Sequence, residues 1–343
     1  MNSIMIGNSL KSFNTFGIDQ SCLEFKLANN RQLLIAMALA CHQQSQPMLI
    51  IGGGSNLVLL DDFLGCVIKV DSQGLKVSED QDWYYLDVEA GVNWHALIEQ
   101  TLALNMPGLE NMALIPGCVG AAPIQNIGAY GKEFCDVCAW VEYLDLTSGE
   151  IVRLTAEQCG FDYRESVFKH ELQQTAVILS VGIKLAKSWT PLLNYGPLQD
   201  FDKATVTPKQ IFDCVCEVRR SKLPDPAIYG NAGSFFKNPI VNVVTYQQLA
   251  RKFPSIVGYA LDDGRVKLAA GWLIEHAGLK GFELGRAAVH KHQALVLINL
   301  GGASGAEVAA LANHVVAKVY SLFAVTLEIE PRLIANQGVI AAL

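Results

Sequence analysis

Two glycine-rich stretches, Gly52-Gly53-Gly54-Ser55-Asn56 and Leu114–Gly131, constrain the fold of this chain most. The second gathers four glycines and two prolines into one apolar tract, which no regular helix or strand sustains. Side chains this small let a large planar group or a diphosphate approach the backbone, and Gln125 and Asn126 offer amides to the polar edge of such a group. The first stretch follows a short apolar strand, Pro47–Ile51, as a phosphate-cradling loop does. It lacks the Gly-x-x-x-x-Gly-Lys and Gly-x-Gly-x-x-Gly patterns. Leu57–Leu60 behind it reads as extended, so no helix dipole serves an anion there. A nest of backbone N–H groups and a plain β-turn both stay open for this loop. Two such loops suit a dinucleotide better than a mononucleotide, with two purely structural loops as the alternative.

A third segment, Gly230-Asn231-Ala232-Gly233-Ser234-Phe235-Phe236-Lys237-Asn238-Pro239, sets one hydroxyl behind a turn of small residues and ahead of two aromatics. Extended backbone beyond the turn puts Ser234, Phe236 and Asn238 on one face, and Phe235 and Lys237 on the other. A hydroxyl and an amide aimed from an apolar bed suit proton delivery to a reacting carbon. A serine tolerated at the edge of a strand is the structural alternative.

Helices are predicted over Asn29–Gln43, Asn93–Leu104, within Val206–Lys222, and over Lys267–His276, the last ending at Gly278 as a C-cap. Residues 106–131 are predicted to form a long ordered loop with a short helix. Ser304-Gly305-Ala306-Glu307 fits a capping box ahead of Val308, Leu311, Val315, Val319 and Leu322 at helical spacing. Ala294–Leu300 reads as a strand. In 325–330 the residues alternate, with Val325, Leu327 and Ile329 facing one way and Thr326, Glu328 and Glu330 the other. That alternation does not choose between the two glutamates. Strands and helices mix without strict βαβ repetition, which predicts α+β or mixed α/β lobes. The prolines of Leu223-Pro224-Asp225-Pro226 open a further lobe. The limits expected are 1–70, 71–222 and 223–330, with a tail over 331–343.

An apolar fraction of 51 % against 17 % charged residues describes a folded chain with a large core. The net charge of −7 argues against nucleic acid and anionic membrane as partners. No apolar run approaches about 18 residues, so no membrane span is expected. The nine cysteines are odd in number and irregularly spaced, and Met1–Ser12 has no long apolar core of a leader. A reducing cytoplasm without a disulfide framework is expected. Cys135-x-x-Cys138 has no second pair or histidine at ligand spacing, and reads as buried structural thiols. His290 and His292 share a strand face without a third ligand, and read as solvated or hydrogen-bonded rings. Ala232 and Phe236 stand where Gly-x-Ser-x-Gly needs glycine, which removes the serine-hydrolase reading.

The motifs in combination resemble the UDP-N-acetylenolpyruvoylglucosamine reductases over nearly the whole chain, from Asn14-Thr15-Phe16-Gly17 to Glu330-Pro331-Arg332. The residues that carry the resemblance are Gly52–Asn56, Ile115-Pro116-Gly117, Gln125–Gly131, Tyr163-Arg164-Glu165-Ser166, Gly233–Pro239 and Leu327–Glu330. The region of Tyr195 and Tyr259 is similar to the longer of the family's two types. The resemblance implies an α+β chain with a vanillyl-alcohol-oxidase-type (PCMH-type) FAD-binding fold of two lobes, and a C-terminal α/β substrate-binding lobe. FAD is implied to be held non-covalently, through Gly52, Gly53, Gly54, Ser55, Asn56, Ile115, Pro116, Gly117, Gly120, Gln125, Asn126 and Gly128, with Arg219 and Arg332 supporting the reduced ring.

The reaction so implied has two halves. NADPH reduces the flavin, and the reduced flavin then gives hydride to C3 of UDP-N-acetylglucosamine enolpyruvate while an enzyme acid protonates C2. Ser234 matches the proton donor, Arg164 the ligand of the substrate carboxylate, and Glu330 the glutamate that stabilises the enol-like intermediate. Tyr195, Lys222, Asn238, Tyr259 and Gln293 match substrate contacts, with Lys222 on the diphosphate. A monomer is expected. Two departures stand out: Ala121 and Ala122 replace hydroxyl residues common in relatives, and Pro331 replaces a β-branched residue, which predicts an early end to strand pairing. Another flavin oxidase of the same fold, or a nucleotide-sugar binding protein without FAD, are the rival readings. Flavin bound to the purified protein separates the second from the first.

Overall fold

Ala176–Ala186 is apolar at almost every position and buried on both faces, and it takes the centre of a five-stranded sheet. Cys138–Asp145 and Trp83–Glu89 flank it, with Ile151–Thr155 and Leu75–Glu79 at the edges, every pairing antiparallel. The edge strand Ile151–Thr155 alternates exposed and half-buried residues, as an edge with one wet face does. The computed structural model describes residues 7–340. The start of the Met1–Ser12 reading and the end of the tail expected over 331–343 therefore lie outside the described residues. The chain divides into two compact units, one of Glu24–Gly53 and Gly65–Ser221, the other of the described residues of Met1–Leu23, Gly54–Leu64 and Lys222–Leu343.

The first unit holds the five-stranded sheet, and Met48–Ile51 runs parallel to the strand Phe63–Val70. Its helices are Arg31–Gln43, Trp94–Ala103 and most of Pro208–Lys222. Asn30 and Asn93 cap the first two through side-chain oxygens that accept Leu33 N–H and Ala96 N–H. One continuous core runs through the unit. Trp94 is fully buried in it, with its indole N–H on Met112 O at 3.2 Å. The tract 106–131 has no α-helix. It holds the short 3₁₀ turns Glu110–Met112 and Val119–Ala121 and ends in the hairpin of Gly128–Ala129 with Lys132–Glu133.

In the second unit, Leu57–Leu59 pairs in parallel with Arg332–Ala335, which turns back on Gly338–Ile340. Gly230–Asn231, Leu297–Asn299, Ala287–Val289 and Glu283–Leu284 form one small sheet, and Ile240–Val241, Val266–Leu268 and Gly258–Ala260 another. The helices are Val243–Lys252, Ala270–His276 and Gly305–Phe323. The capping box expected at Ser304 and Glu307 is present at the start of the last. The helix expected from Lys267 begins at Ala270, because Val266–Leu268 is claimed by strand pairing. Residues 325–330 are extended but form no strand of their own, only the single bridge of Ile329 to Phe236.

Candidate active site

In the first unit the two glycine-rich stretches meet backbone to backbone. A Cβ on Gly52 would stand 2.2 Å from Cys118 Sγ, and one on Gly53 would stand 3.0 Å from Gly117 Cα. No larger residue fits without moving the other loop. The second loop is fixed from behind: Gly117 O accepts Trp94 N–H (3.1 Å), and Val119 N and Gly120 N donate to Val92 O (2.8 Å) and Ala90 O (2.9 Å). Leu114, in left-handed backbone at φ 55°, gives its N–H to His95 Nδ1 at 3.1 Å. The His95 ring stacks on Phe212 (centroids 5.4 Å apart). Burial holds its pKa below the usual imidazole value, with Arg220 and Arg219 acting the same way and Glu99 opposing. Gly53 and Pro116 are exposed and Ile115 half-buried, so the loop tips face solvent.

Arg164 sits at the tip of a tight turn in which Asp162 and Glu165 exchange backbone hydrogen bonds of 3.1 and 3.0 Å. Its φ of 60° is unusual for a residue with a side chain. The guanidinium donates to Asn126 O (3.2 Å) and Gly128 O (3.0 Å). Asn126 is fully buried, and its amide is spent inside the protein on Glu133 Oε2 (2.7 Å), Asp162 O (3.2 Å) and Cys135 N–H (2.9 Å). Its reading as an edge donor is therefore corrected: the side chain braces the Arg164 turn, and the backbone carbonyl accepts the Arg164 guanidinium. Gln125 is half-buried beside it. Arg219 is largely enclosed and its Nε has no hydrogen-bond partner. Burial lowers its pKa, Tyr130 acts against that, and Arg164 acts with it.

In the second unit, Asn231 organises the serine turn. Its N–H reaches Thr15 O (3.0 Å), and its carbonyl accepts the Thr15 hydroxyl (2.7 Å). Its side chain bonds Pro224 O and Tyr229 O and accepts Gly233 N–H at 2.9 Å. Gly233 then turns the chain at φ 72°. Beyond the turn, Phe235 N donates to Leu295 O (2.7 Å), Glu330 N to Phe235 O (2.9 Å) and Lys237 N to Glu328 O (2.9 Å). Ser234 is thus one residue from the point where Glu330 docks. The strict alternation expected here is corrected: Phe235 and Phe236 are both buried, the first with its edge against Phe16 (6.3 Å). The buried Lys237 forms an ion pair with the exposed Glu328, whereas Glu330 is half-buried. This separates the two glutamates that alternation left equal. The bracing by Asn14, Thr15 and Phe16 was not readable as such; its signal was the motif Asn14–Gly17.

Asn56 O accepts Arg332 N–H at 3.0 Å, and Gly54 O accepts Thr15 N–H at 3.0 Å, with Ser55 half-buried between them. Pro331 does not simply end strand pairing. It stands where the chain leaves Phe235–Lys237 and takes up the parallel pairing of Arg332 with Leu57. Arg332 Nε is buried without a hydrogen-bond partner, and burial lowers its pKa. Asn238 accepts Ala270 N–H at 2.9 Å, at the start of a helix. Gln293 lies in the turn before Leu297–Asn299, and Lys222 is exposed. Tyr195 and Tyr259 are 44 % and 46 % exposed, high for rings of their size. His290 and His292 lie in that same turn past Ala287–Val289, not on a strand face, with rings 5.7 Å apart. Cys135 and Cys138 are half-buried and free, and no cluster of three metal-ligating side chains occurs among the described residues.

Comparison with known proteins agrees with these motifs. The family model "UDP-N-acetylenolpyruvoylglucosamine reductase, C-terminal domain" matches residues 225–334, and "FAD binding domain" matches 25–155. A UDP-N-acetylenolpyruvoylglucosamine reductase of Shewanella baltica is 61 % identical over 97 % of this chain and 98 % of its own. One from Escherichia coli O157:H7 is 50 % identical over 98 % of both chains. The crystal structure of the Thermus caldophilus reductase of this kind has the same fold at 24 % identity and TM-score 0.65, covering 94 % of this chain and 96 % of that one.

The residues present fit FAD on structural grounds. The loops of Gly52, Gly53 and Gly117 form a cradle that a single Cβ would fill. In the same unit Arg219 carries a buried Nε with no hydrogen-bond partner, a donor that an anionic group would satisfy.

Proposed function

The chain belongs to the UDP-N-acetylenolpyruvoylglucosamine reductase family and is an FAD-dependent oxidoreductase, and from that premise we propose the following reaction for it. It reduces UDP-N-acetylglucosamine enolpyruvate to UDP-N-acetylmuramate at the expense of NADPH, as a cytoplasmic monomer supplying peptidoglycan precursors. When bound, FAD supplies the passage of hydride from one ligand to the other. Gly52, Gly53, Gly117 and Gly120 take its diphosphate side, and Arg219 and Arg332 balance its negative charge. The three-lobe division at 70 and 222 belongs to this reading.

Ser234 gives its hydroxyl proton to C2 of the enol ether. A serine is a weak acid, so the carbon it protonates must be strongly basic and the hydroxyl must be polarised by its neighbours. Glu330, protonated, donates toward the enol-like carboxylate as charge builds there. Arg164 binds that carboxylate with its guanidinium fork, and the strained turn keeps the fork aimed. Lys222 meets the nucleotide diphosphate, Tyr195 and Tyr259 close over the nucleotide, and Asn238 and Gln293 contact the substrate. The supporting observation is the hydrogen bond from Glu330 N to Phe235 O at 2.9 Å, beside Ser234.

An anaerobic absorbance trace tests the reading. NADPH should bleach the yellow protein, and UDP-N-acetylglucosamine enolpyruvate should restore the colour promptly. Bleaching without recolouring removes the substrate assignment, and a colourless purified protein removes the assignment of both glycine loops.

A further inference from the structure

His290 is enclosed in the second unit, 8 % exposed, and none of the roles given so far uses it. Its ring nitrogen Nδ1 accepts the Gln293 N–H at 3.2 Å. Its own N–H goes to Val296 O (2.9 Å), and Val296 N returns to Gln293 O (3.0 Å). The turn that joins Ala287–Val289 to Leu297–Asn299 is therefore tied twice to one residue, once through backbone and once through the imidazole. The Gln293 side chain folds back on the turn, where its Oε1 accepts Leu295 N–H at 3.5 Å. Leu295 O accepts Phe235 N–H at 2.7 Å, while Phe235 O accepts Glu330 N–H at 2.9 Å. A path of hydrogen bonds and peptide links thus runs from the imidazole to Phe235, the residue after Ser234, and on to the Glu330 N–H.

We propose that His290 is a positioning residue for the reaction, acting as a neutral Nδ1 acceptor that fixes the 293–296 turn and, through it, Gln293 and the Ser234–Glu330 pair. The inference rests on the functional reading above. An imidazole can accept at Nδ1 only when that nitrogen carries no proton, so the working form is the neutral ring protonated at Nε2. The surroundings favour that form. Burial lowers the pKa of His290, and His292 and Lys291 lower it further. Tyr229 faces the ring, with centroids 6.3 Å apart. A protonated ring would point an N–H at the Gln293 N–H and open the turn.

The acceptor role separates His290 from a space-filling ring. Asn places its oxygen where Nδ1 stands, Gln places its amide where Nε2 stands, and Phe keeps the shape with neither. His290→Asn is expected to keep recolouring by UDP-N-acetylglucosamine enolpyruvate within about threefold of the parent. His290→Gln and His290→Phe lose about 10- to 100-fold, the scale of a small misplacement of reacting groups, at undiminished flavin content. Activity of the parent is expected to fall on the acid side, below the ordinary imidazole value because burial lowers the pKa of His290, and this acid limb is absent in His290→Asn. A ¹⁵N spectrum of the labelled parent, with the His290 signals assigned from that variant, is expected to show Nδ1 unprotonated and Nε2 protonated at pH 7.5. A protonated Nδ1 at that pH overturns the proposal whatever the substrate is, as does an Asn variant no better than Gln. A parent that never recolours, with Nδ1 unprotonated, counts instead against the assigned reaction.

Discussion

The glycine loops of one unit and the serine turn of the other solve opposite problems with equally little freedom. At Gly52 and Gly53 what matters is the absence of side chains, since a Cβ would stand 2.2 Å from Cys118 Sγ at the first and 3.0 Å from Gly117 Cα at the second. At Ser234 what matters is one hydroxyl, and the surrounding residues are spent on aiming it. Asn231, Thr15, Leu295 and Glu330 each hold the turn by a hydrogen bond. The contrast implies that the loops fail by adding atoms and the turn fails by losing them, and that the two failures look different in the test tube.

The largest effect separates them directly. Ser234→Ala removes one oxygen from a half-buried site. It is expected to keep the flavin and bleaching by NADPH, while recolouring by the enolpyruvyl substrate slows by about 10²- to 10⁴-fold, the range of general acid catalysis. Stopped-flow absorbance measures both halves in one sample. Equal loss in the two halves would break the assignment of Ser234 to the proton. Gly52→Val, by contrast, drives its Cβ into Cys118 Sγ and is expected to yield protein with less than about a tenth of the parent's flavin. The affinity loss implied is the 1–3 kcal/mol usual for overpacking, read from the flavin-to-protein absorbance ratio after gel filtration.

A smaller effect tests the glutamates. Glu330→Gln is expected to slow recolouring by about 10²-fold or more, the range of a lost preorganised donor. Glu328→Gln is expected to change it less than about threefold, because the Glu328 carboxylate is exposed and engaged with Lys237. Comparable losses in the two variants would mean that the docking of Glu330 against Phe235 does not select the active carboxylate.

The same contrast explains how much the sequence disclosed. Asn93–Leu104, the capping box at Ser304 and the extended Leu57–Leu59 were legible because each is a local matter of caps and periodicity. The closeness of two glycine loops could be suspected from composition, but that Gly52 faces Cys118 depends on residues 66 apart in the chain. The serine segment misled for a different reason. Alternation assumed a strand, whereas the turn is set by non-local partners such as Thr15 and Leu295, so both phenylalanines go inward. Asn126 looked like a ligand donor because amides in glycine-rich loops often are. Only the fold reveals Asp162 O and Cys135 N–H waiting for it.

The smallest effect concerns what braces the glycine loops without touching a ligand. His95 Nδ1 holds Leu114 N–H at the entrance to the second loop, so the ring must be unprotonated there. The folded pKa is lowered, mainly by burial, while the unfolded ring titrates near 6.5. The unfolded state then binds the proton first. The contribution of His95 to stability is complete above that ordinary value and is lost as pH falls through the lowered folded value. Thermal unfolding of the flavin-loaded protein between pH 8 and 5 should fall more steeply for the parent than for His95→Asn, whose side-chain oxygen accepts Leu114 N–H at any of these pH values. Nearby Glu99 opposes the shift and Arg219 and Arg220 favour it, so Glu99→Gln, which removes the opposing charge, should leave the onset near the unfolded value and extend the loss to still lower pH. Parallel curves for the parent and His95→Asn would mean that the loop is held by its backbone contacts to Trp94, Val92 and Ala90 alone.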